Sequence, residues 1–398
     1  MNAGGAVERV FRQESGRVLA ALIRGLGDFD RAEEALQEAL VLALERWPRD
    51  GVPDNPAAWL TTAARNRAID RLRREAKRDD KEAALVLPAE SAPAGDDRLR
   101  LIFTCCHPAL GLETQVALTL RTLAGLTTAE VAHAFLVPEA TMAQRLVRAK
   151  RKIRVAGIPY QVPPDHQLPE RLGAVLKVVY LVFNEGYNAS SGAEVVRADL
   201  CAEAVRLARL LVALMPDEPE ALGLLGLLLL VDARRPARTG PALVLLPDQD
   251  RTRWDTTLIA EGATLVRTAL RRGRPGPYQL QAAIAAVHDE APSHDTTDWA
   301  QIAGLYAELA RLEPSPVVQL NRAVAVSFVA AAGPAAALAL VDAVAADLDR
   351  SHLLHSTRAD LLRRLGRTAE AAVAYRRAID LAGTTAERAF LHSRLTAL

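Results

Sequence analysis

The chain has 398 residues, too many for one ordinary helical domain, so two or three domains are expected. Half of it is hydrophobic, only 4% is aromatic and the formal net charge is +1. That balance supports Ala- and Leu-rich helical cores and excludes a uniformly polybasic nucleic-acid binder. The three cysteines include the adjacent pair Cys105 and Cys106, with Cys201 far away. Such a set makes no disulfide framework, so a reducing cytoplasm is the expected location. The opening stretch, MNAGGAVERVFRQESGR, lacks the apolar core of a signal peptide. The longest apolar run, Ala221–Val231, falls well short of the ~20 residues of a bilayer span and reads as a buried helix.

Val10, Phe11, Val18, Leu19, Leu22 and Ile23 recur at helical spacing until Gly25 and Gly27 break the pattern. Asp28 stands where it can cap a second helix, with Ala32, Ala35, Leu36, Ala39, Leu40 and Ala43 as its apolar stripe. The surface of that helix is acidic, and Trp47-Pro48 is expected to close it. A third helix is expected over Ala57–Arg78. Its packing residues are Trp59, Leu60, Ala63, Ala64, Ala68, Ile69 and Leu72. Arg65, Arg67, Arg71, Arg73, Arg74, Lys77 and Arg78 make its outer face basic. Charge balance alone would pair an acidic helix with a basic one. Asn66 and Asp70, set among the arginines where they can touch bases or order the guanidinium groups, favour phosphate and nucleic-acid binding.

Residues 79–97 are rich in Ala, Pro and acidic groups and read as a linker. Helix resumes from Arg98 to Gly125. Leu126–Arg154, LTTAEVAHAFLVPEATMAQRLVRAKRKIR, then reads as helix, tight turn, helix. Thr127 or Thr128 caps the first helix, Val131, Ala134 and Phe135 form its apolar face, and Val137-Pro138 ends it. In the second, Met142, Leu146 and Ile153 face inward, while Gln144, Arg145, Arg148, Lys150, Arg151, Lys152 and Arg154 give a polar, basic surface. A short helix, a turn and a basic helix suit major-groove reading, although any helical hairpin with a solvated basic face shares the pattern. The proline-rich stretch Gly157–Leu168 marks a second boundary.

From Pro169 onward the chain is helical. In Gly366–Leu381, GRTAEAAVAYRRAIDL, the residues Gly366, Ala371, Tyr375 and Ala378 fall at the spacing of the second helix of a tetratricopeptide (TPR) repeat. Ala359, Leu362 and Leu365 fit the helix before it. Weaker echoes lie at Ala204–Leu230 and Leu305–Val341, so the tail is TPR-like without a regular period. Such stacks build concave surfaces, and a protein or peptide partner is the natural expectation.

GDFDRAEEALQEAL followed by WLTTAARNRAIDRLRRE resembles region 2 of a bacterial RNA polymerase sigma factor, and LTTAEVAHAFLVPEATMAQRLVRAKRKIR resembles region 4. The short acidic linker, with no third domain between them, resembles the extracytoplasmic-function (ECF) subfamily. TCCHPAL, VYLVFNEGY, RADLCAEAVRLARLL, DEPEALGLLGLLLL, RPGPYQLQAAIAAVH, TDWAQIAGLYAEL and SPVVQLNRAVAV are similar to the ECF group with a long TPR-containing C-terminal extension. The resemblance spans Val7 to Leu398. It implies an all-α fold: 7–78 as sigma region 2, 79–97 as flexible linker, 98–156 as region 4, 157–168 as linker and 169–398 as the TPR-like domain.

The resemblance further implies a non-enzymatic factor, without cofactor or membrane anchor, that binds the clamp helices and flap of RNA polymerase core and directs initiation at chosen promoters. Asp30, Glu33, Leu36, Gln37 and Leu40 are then the candidate core-binding residues. Trp59, Arg65, Asn66, Asp70, Arg71 and Arg74 would meet the −10 element as a melted strand. Glu139, Thr141, Gln144, Arg145, Arg148 and Lys150 would meet the −35 major groove. Where many ECF proteins place Ser/Thr-Val-Lys, this chain reads ATMAQR, so an unusual −35 sequence is expected. With Trp47 and Trp59 as the visible aromatics of the first domain, melting of permissive promoters only is expected. Control of activity by the tail in cis is also implied.

The remaining polar constellations have ordinary readings. Adjacent Cys105 and Cys106 beside His107 lack the usual Cys-x-x-Cys chelate, so packing of small residues is favoured over zinc. Phe183–Tyr187 and Leu246–Asp255 are polar segments that line pockets or cap helices and close loops, the second use being the commoner. His288, His294, His352 and His355 show no ligand-like spacing. A DNA-binding TPR regulator acting without polymerase is the alternative to the sigma reading.

Overall fold

The computed structural model describes residues 3–78, 97–123, 125–135, 137–187, 196–238, 244–383 and 385–398. The linker expected at 79–97 lies outside them except for Asp97, as do the side chains of Leu72, Lys77, Arg78 and Ala134. Among the described residues the secondary structure is entirely helical. Two compact units divide the chain, Met1–Leu211 and Val212–Leu398.

In the first unit, α1 (Ala3–Leu26), α2 (Phe29–Asp50) and α3 (Pro56–Arg78) pack on one another as a three-helix domain. Their contact faces are Ala and Leu stripes at helical spacing, with Ala20, Ala32, Ala39, Ala43, Leu60 and Ala64 fully buried. Small residues at these positions let the three helices approach closely. Asp28 caps α2 as expected, its Oδ1 accepting from the Asp30 N–H at 2.8 Å and the Arg31 N–H at 3.0 Å. The expected stop at Trp47-Pro48 is corrected: α2 runs on to Asp50 with Pro48 inside its last turn. Gly51, at φ 84°, ends the helix and returns its N–H to the Trp47 carbonyl.

The second domain of this unit comprises α4 (Asp97–Cys105), α5 (Leu112–Thr122), α6 (Thr128–Ala134) and α7 (Glu139–Val155). Thr127 and Glu130 form a capping box at α6: the Glu130 N–H donates to Thr127 Oγ1 at 3.1 Å and the Thr127 N–H donates to the Glu130 carboxylate at 2.7 Å. In α7, Met142, Leu146, Ala149 and Ile153 are buried, the three expected residues among them. Cys105 and Cys106 are fully buried, with Cys105 Sγ 3.5 Å from Thr122 Oγ1. Burial pushes the Cys105 thiol up to about 12, so it packs as a small apolar group.

The first unit extends through α8 (Leu168–Tyr187) and most of α9 (Ala198–Leu214), helices that follow the proline-rich stretch. α8 packs on α4 and α5. The Arg171 guanidinium donates to the Phe103 carbonyl, and Arg98 and Arg197 reach Glu203 and Glu130 at 3.6 Å and 3.9 Å. These two helices therefore brace the second domain directly.

The second unit contains α10 (Pro219–Ala233), α11 (Arg235–Arg238), α12 (Thr256–Leu270), α13 (Pro277–Glu290), α14 (Trp299–Leu312), α15 (Pro316–Ser327), α16 (Gly333–Ala343), α17 (Ala345–Leu348), α18 (His352–Arg364), α19 (Thr368–Leu381) and α20 (Thr385–Thr396). Ala221–Leu230 of α10 are buried on every side, as the apolar run requires. α18 and α19 form the expected hairpin, with Ala359, Leu362, Ala371, Tyr375 and Ala378 in one core. Gly366 is not part of the second helix of that hairpin: it ends α18 and forms the turn. The polar stretch Leu246–Asp255 is largely capping chemistry, Asp255 accepting from the Thr257 and Leu258 N–H groups at the start of α12.

Candidate nucleic-acid interface

The basic side of α3 carries an exposed row of Arg67, Asn66, Asp70, Arg71, Arg73 and Arg74. Asp70 orders this row from within: Arg73 lies 4.0 Å from its carboxylate and Arg74 Nε donates to its carbonyl at 3.2 Å. Arg71 turns back onto α2, 2.6 Å from Glu34 and 3.9 Å from Glu38. Arg65 is half-buried. Trp59 is half-buried too, packed edge-on against the buried Trp47 at 5.5 Å between ring centroids. Of the six expected −10 residues, Asn66, Asp70, Arg71 and Arg74 thus share one exposed surface, while Trp59 and Arg65 lie nearer its packed base.

The helix-turn-helix has a different division. Thr141, Gln144, Arg148 and Arg151 are exposed and recur every three or four residues, so they form one continuous stripe along α7, while Glu139, also exposed, stands off that stripe at the start of the helix. Arg145 lies to the side, half-buried, held by Glu113 at 3.0 Å and over the Phe135 ring at 5.8 Å. Lys150 does not join the stripe. Its Nζ lies 2.8 Å from Asp30 and 2.9 Å from Glu33, both on α2. Burial disfavours its charge, but the two carboxylates more than offset this and raise its pKa. Asp30 also meets Arg154, whose Nε is 3.5 Å from Asp28.

Four of the five candidate core-binding residues, Glu33, Leu36, Gln37 and Leu40, line one groove of about 390 Å³. Phe11 and Leu19 of α1 form one wall, and Arg121 and Thr122 of α5 form another. Asp30 lies outside the groove in the ion-pair cluster. The structure also brings forward residues that charge patterning passes over. Tyr160 Oη sits 2.9 Å from the Ala20 carbonyl and 3.0 Å from the Asp97 carbonyl, joining the first domain to the second. Gly16, in the middle of α1, faces the Leu123 carbonyl so closely that a Cβ there would stand 2.3 Å from its oxygen. A lone glycine inside a helical pattern is the signal that could have marked that approach.

An ordered basic row on one small helical domain and an exposed polar stripe on a helix-turn-helix in the next are the two candidate nucleic-acid surfaces of this chain. Residues 10–78 match the family model Sigma-70 region 2, and residues 100–153 match Sigma-70 region 4. Residues 171–270 match a family of unknown function, DUF6596. An uncharacterized protein of Rhizobium meliloti (strain 1021) is 47% identical over 393 residues, covering 95% of this chain and 92% of that one. The ECF RNA polymerase sigma factor SigK of Mycobacterium ulcerans (strain Agy99) is 32% identical over 151 residues, covering 35% of this chain and 78% of SigK. SigK of Mycobacterium tuberculosis (strain ATCC 25618 / H37Rv) is 34% identical with the same coverage. The crystal structure of yeast Tom70 aligns at a TM-score of 0.40 and 13% identity, over 99% of this chain and 83% of that one. The chain belongs to the ECF RNA polymerase sigma factors and carries a long helical C-terminal extension. Among the described residues no helix is long and apolar enough to cross a membrane.

Proposed function

We propose that this protein binds RNA polymerase core and directs promoter-specific initiation, performing no bond chemistry of its own. The observation that carries the reading is the pair of exposed polar, basic surfaces on α3 and α7, each in its own small domain. On this reading the α2 groove residues Glu33, Leu36, Gln37 and Leu40 meet the polymerase clamp. Asn66, Asp70, Arg71 and Arg74 hold the unpaired −10 strand, with arginines on phosphates and Asn66 free to read a base edge. Glu139, Thr141, Gln144 and Arg148 enter the −35 major groove, where a carboxylate accepts from cytosine and a guanidinium donates to guanine.

The extension is a modulating element in this reading. A groove of about 430 Å³ in the second unit, walled by Phe328, Leu353 and Phe390 with Arg364 and Arg394 at its sides, is where a peptide or protein partner would engage it. Purified protein and core should together give run-off transcripts from a promoter upstream of its own or a neighbouring gene. Absence of both core binding and transcript would end the sigma reading. Specific duplex binding without affinity for core would replace it with a polymerase-independent regulator. A variant lacking α10–α20 should change transcript yield; equal yield would remove the modulating role.

A further inference from the structure

Beside the packing of α1 on α4 and the Arg24–Asp97 ion pair at 3.5 Å, three further contacts among the described residues join the two sigma domains. The Leu123 carbonyl of the second domain packs against Gly16 of α1 at a spacing no side chain permits. The Tyr160 hydroxyl reaches carbonyls on both sides, Ala20 and Asp97. Lys150 and Arg154 from the end of α7 are set among Asp28, Asp30 and Glu33 of α2. We propose that these contacts form a clasp holding the factor in a closed, latent state, and that the clasp and polymerase core compete for the same face of α2.

Placement and reach support competition. One wall of the α2 groove is α5 of the second domain, so a partner docking along that face of α2 meets α5 until the wall moves away. Reach gives the second limit. Through Arg71 and Lys150, both α3 and α7 are tied to α2, a helix of 22 residues. At 1.5 Å per residue that helix is roughly 33 Å long. The −10 and −35 elements lie about 25 base pairs apart, roughly 85 Å at 3.4 Å per pair. In the closed state the two surfaces cannot hold both elements at once. The −35 stripe stays exposed in that state, so what the clasp withholds is core docking and the two-point grip.

The inference rests on the sigma reading, and its test separates the two. Spin labels at Val52→Cys and Leu112→Cys, both exposed positions on different domains, report closure in the full-length protein. The native cysteines are buried and stay unlabelled. Lys150→Glu with Arg154→Glu should lengthen the label distance, and adding Asp30→Lys, which faces both positions, should shorten it again. Gly16→Ala alters neither the groove nor the DNA stripe, favours α1 as a helix, and should lengthen the distance by itself. Both opened forms should bind core about three- to tenfold more tightly than wild type, the scale of a few partly exposed ion pairs and one packing contact. Unchanged distances in both variants, or opened variants with wild-type core affinity, would overturn the clasp as a competitor. Should no form bind core, the sigma reading and the competition fall together, while the label distance still reports whether the clasp exists.

Discussion

α3 and α7 carry the same kind of charge and hold it differently. On α3 the arginines are ordered by their own helix, through Asp70, and one of them, Arg71, leans on Glu34 of the neighbouring α2. On α7 the cations divide by face: Arg148 and Arg151 are exposed, whereas Arg145, Lys150 and Arg154 are held by carboxylates elsewhere in the fold. A count of basic residues treats the two helices alike. Their neighbours separate cations that remain available to phosphate or bases from cations engaged within the fold, Arg145 inside its own domain and Lys150 and Arg154 across to α2.

The largest expected effect tests the free face of α7. Arg148→Ala should lower binding to a cognate −35 duplex by about 10- to 100-fold, corresponding to about 1–3 kcal/mol for a base-reading guanidinium. Titration of labelled duplex checks this, with Arg154→Ala as the contrast, expected to change duplex affinity little. Equal losses in the two would erase the distinction between reading and tethering cations. A smaller effect tests α3. Arg71→Ala should weaken open-complex formation by about fivefold, or about 1 kcal/mol, through loss of a single phosphate contact. Glu34→Gln decides whether the tie to α2 matters. If Arg71 works only as a free grip, releasing it from Glu34 should leave permanganate-detected melting at or above the wild-type level. If the ion pair positions Arg71 for the strand, Glu34→Gln should reproduce the loss.

Much of this architecture was legible in sequence because helical periodicity reports which face is buried without naming the partner. The Asp28 cap, the stripe from Ala32 to Ala43, and the inward Met142, Leu146 and Ile153 all follow from local spacing. Pro48 was misread because a proline in a last turn costs the helix only one N–H, and Gly51 supplies the real stop. The destination of Lys150 was not legible at all. It stands among seven polar residues of α7 that look equivalent in sequence, and its carboxylate partner Glu33 is 117 positions away. Charge rows specify an attractive surface, and only the packing of α1 against the second domain decides which anion each cation meets. The same holds for the α2 groove: Leu36 and Leu40 were expected on that surface, whereas the α5 wall facing them comes from tertiary packing.

The smallest expected effect concerns pH, and it distinguishes tethering cations from a titrating switch. The pKa of Asp30 is lowered from 3.8: burial would raise it, but Lys150 and Arg154 outweigh that cost. The Asp30 contribution is therefore present above about pH 4 and is lost as pH falls through its depressed folded value. The pKa of Lys150 is raised from 10.5, so its contribution is present below that pH and is lost only as pH rises through a still higher value. Between these limits neither group changes charge. Tyr160, whose ionisation is opposed by burial and by the charge of Asp97, stays a donor over the same range. The interdomain label distance should accordingly be flat from about pH 6 to about pH 9 and lengthen in strong acid. In the same range the distance should respond to salt, because Arg154 and Asp30 are open enough to solvent to be screened. A distance that moved near neutral pH would mean that a histidine or another neutral-range group controls closure, and the ion-pair account of the clasp would have to be given up.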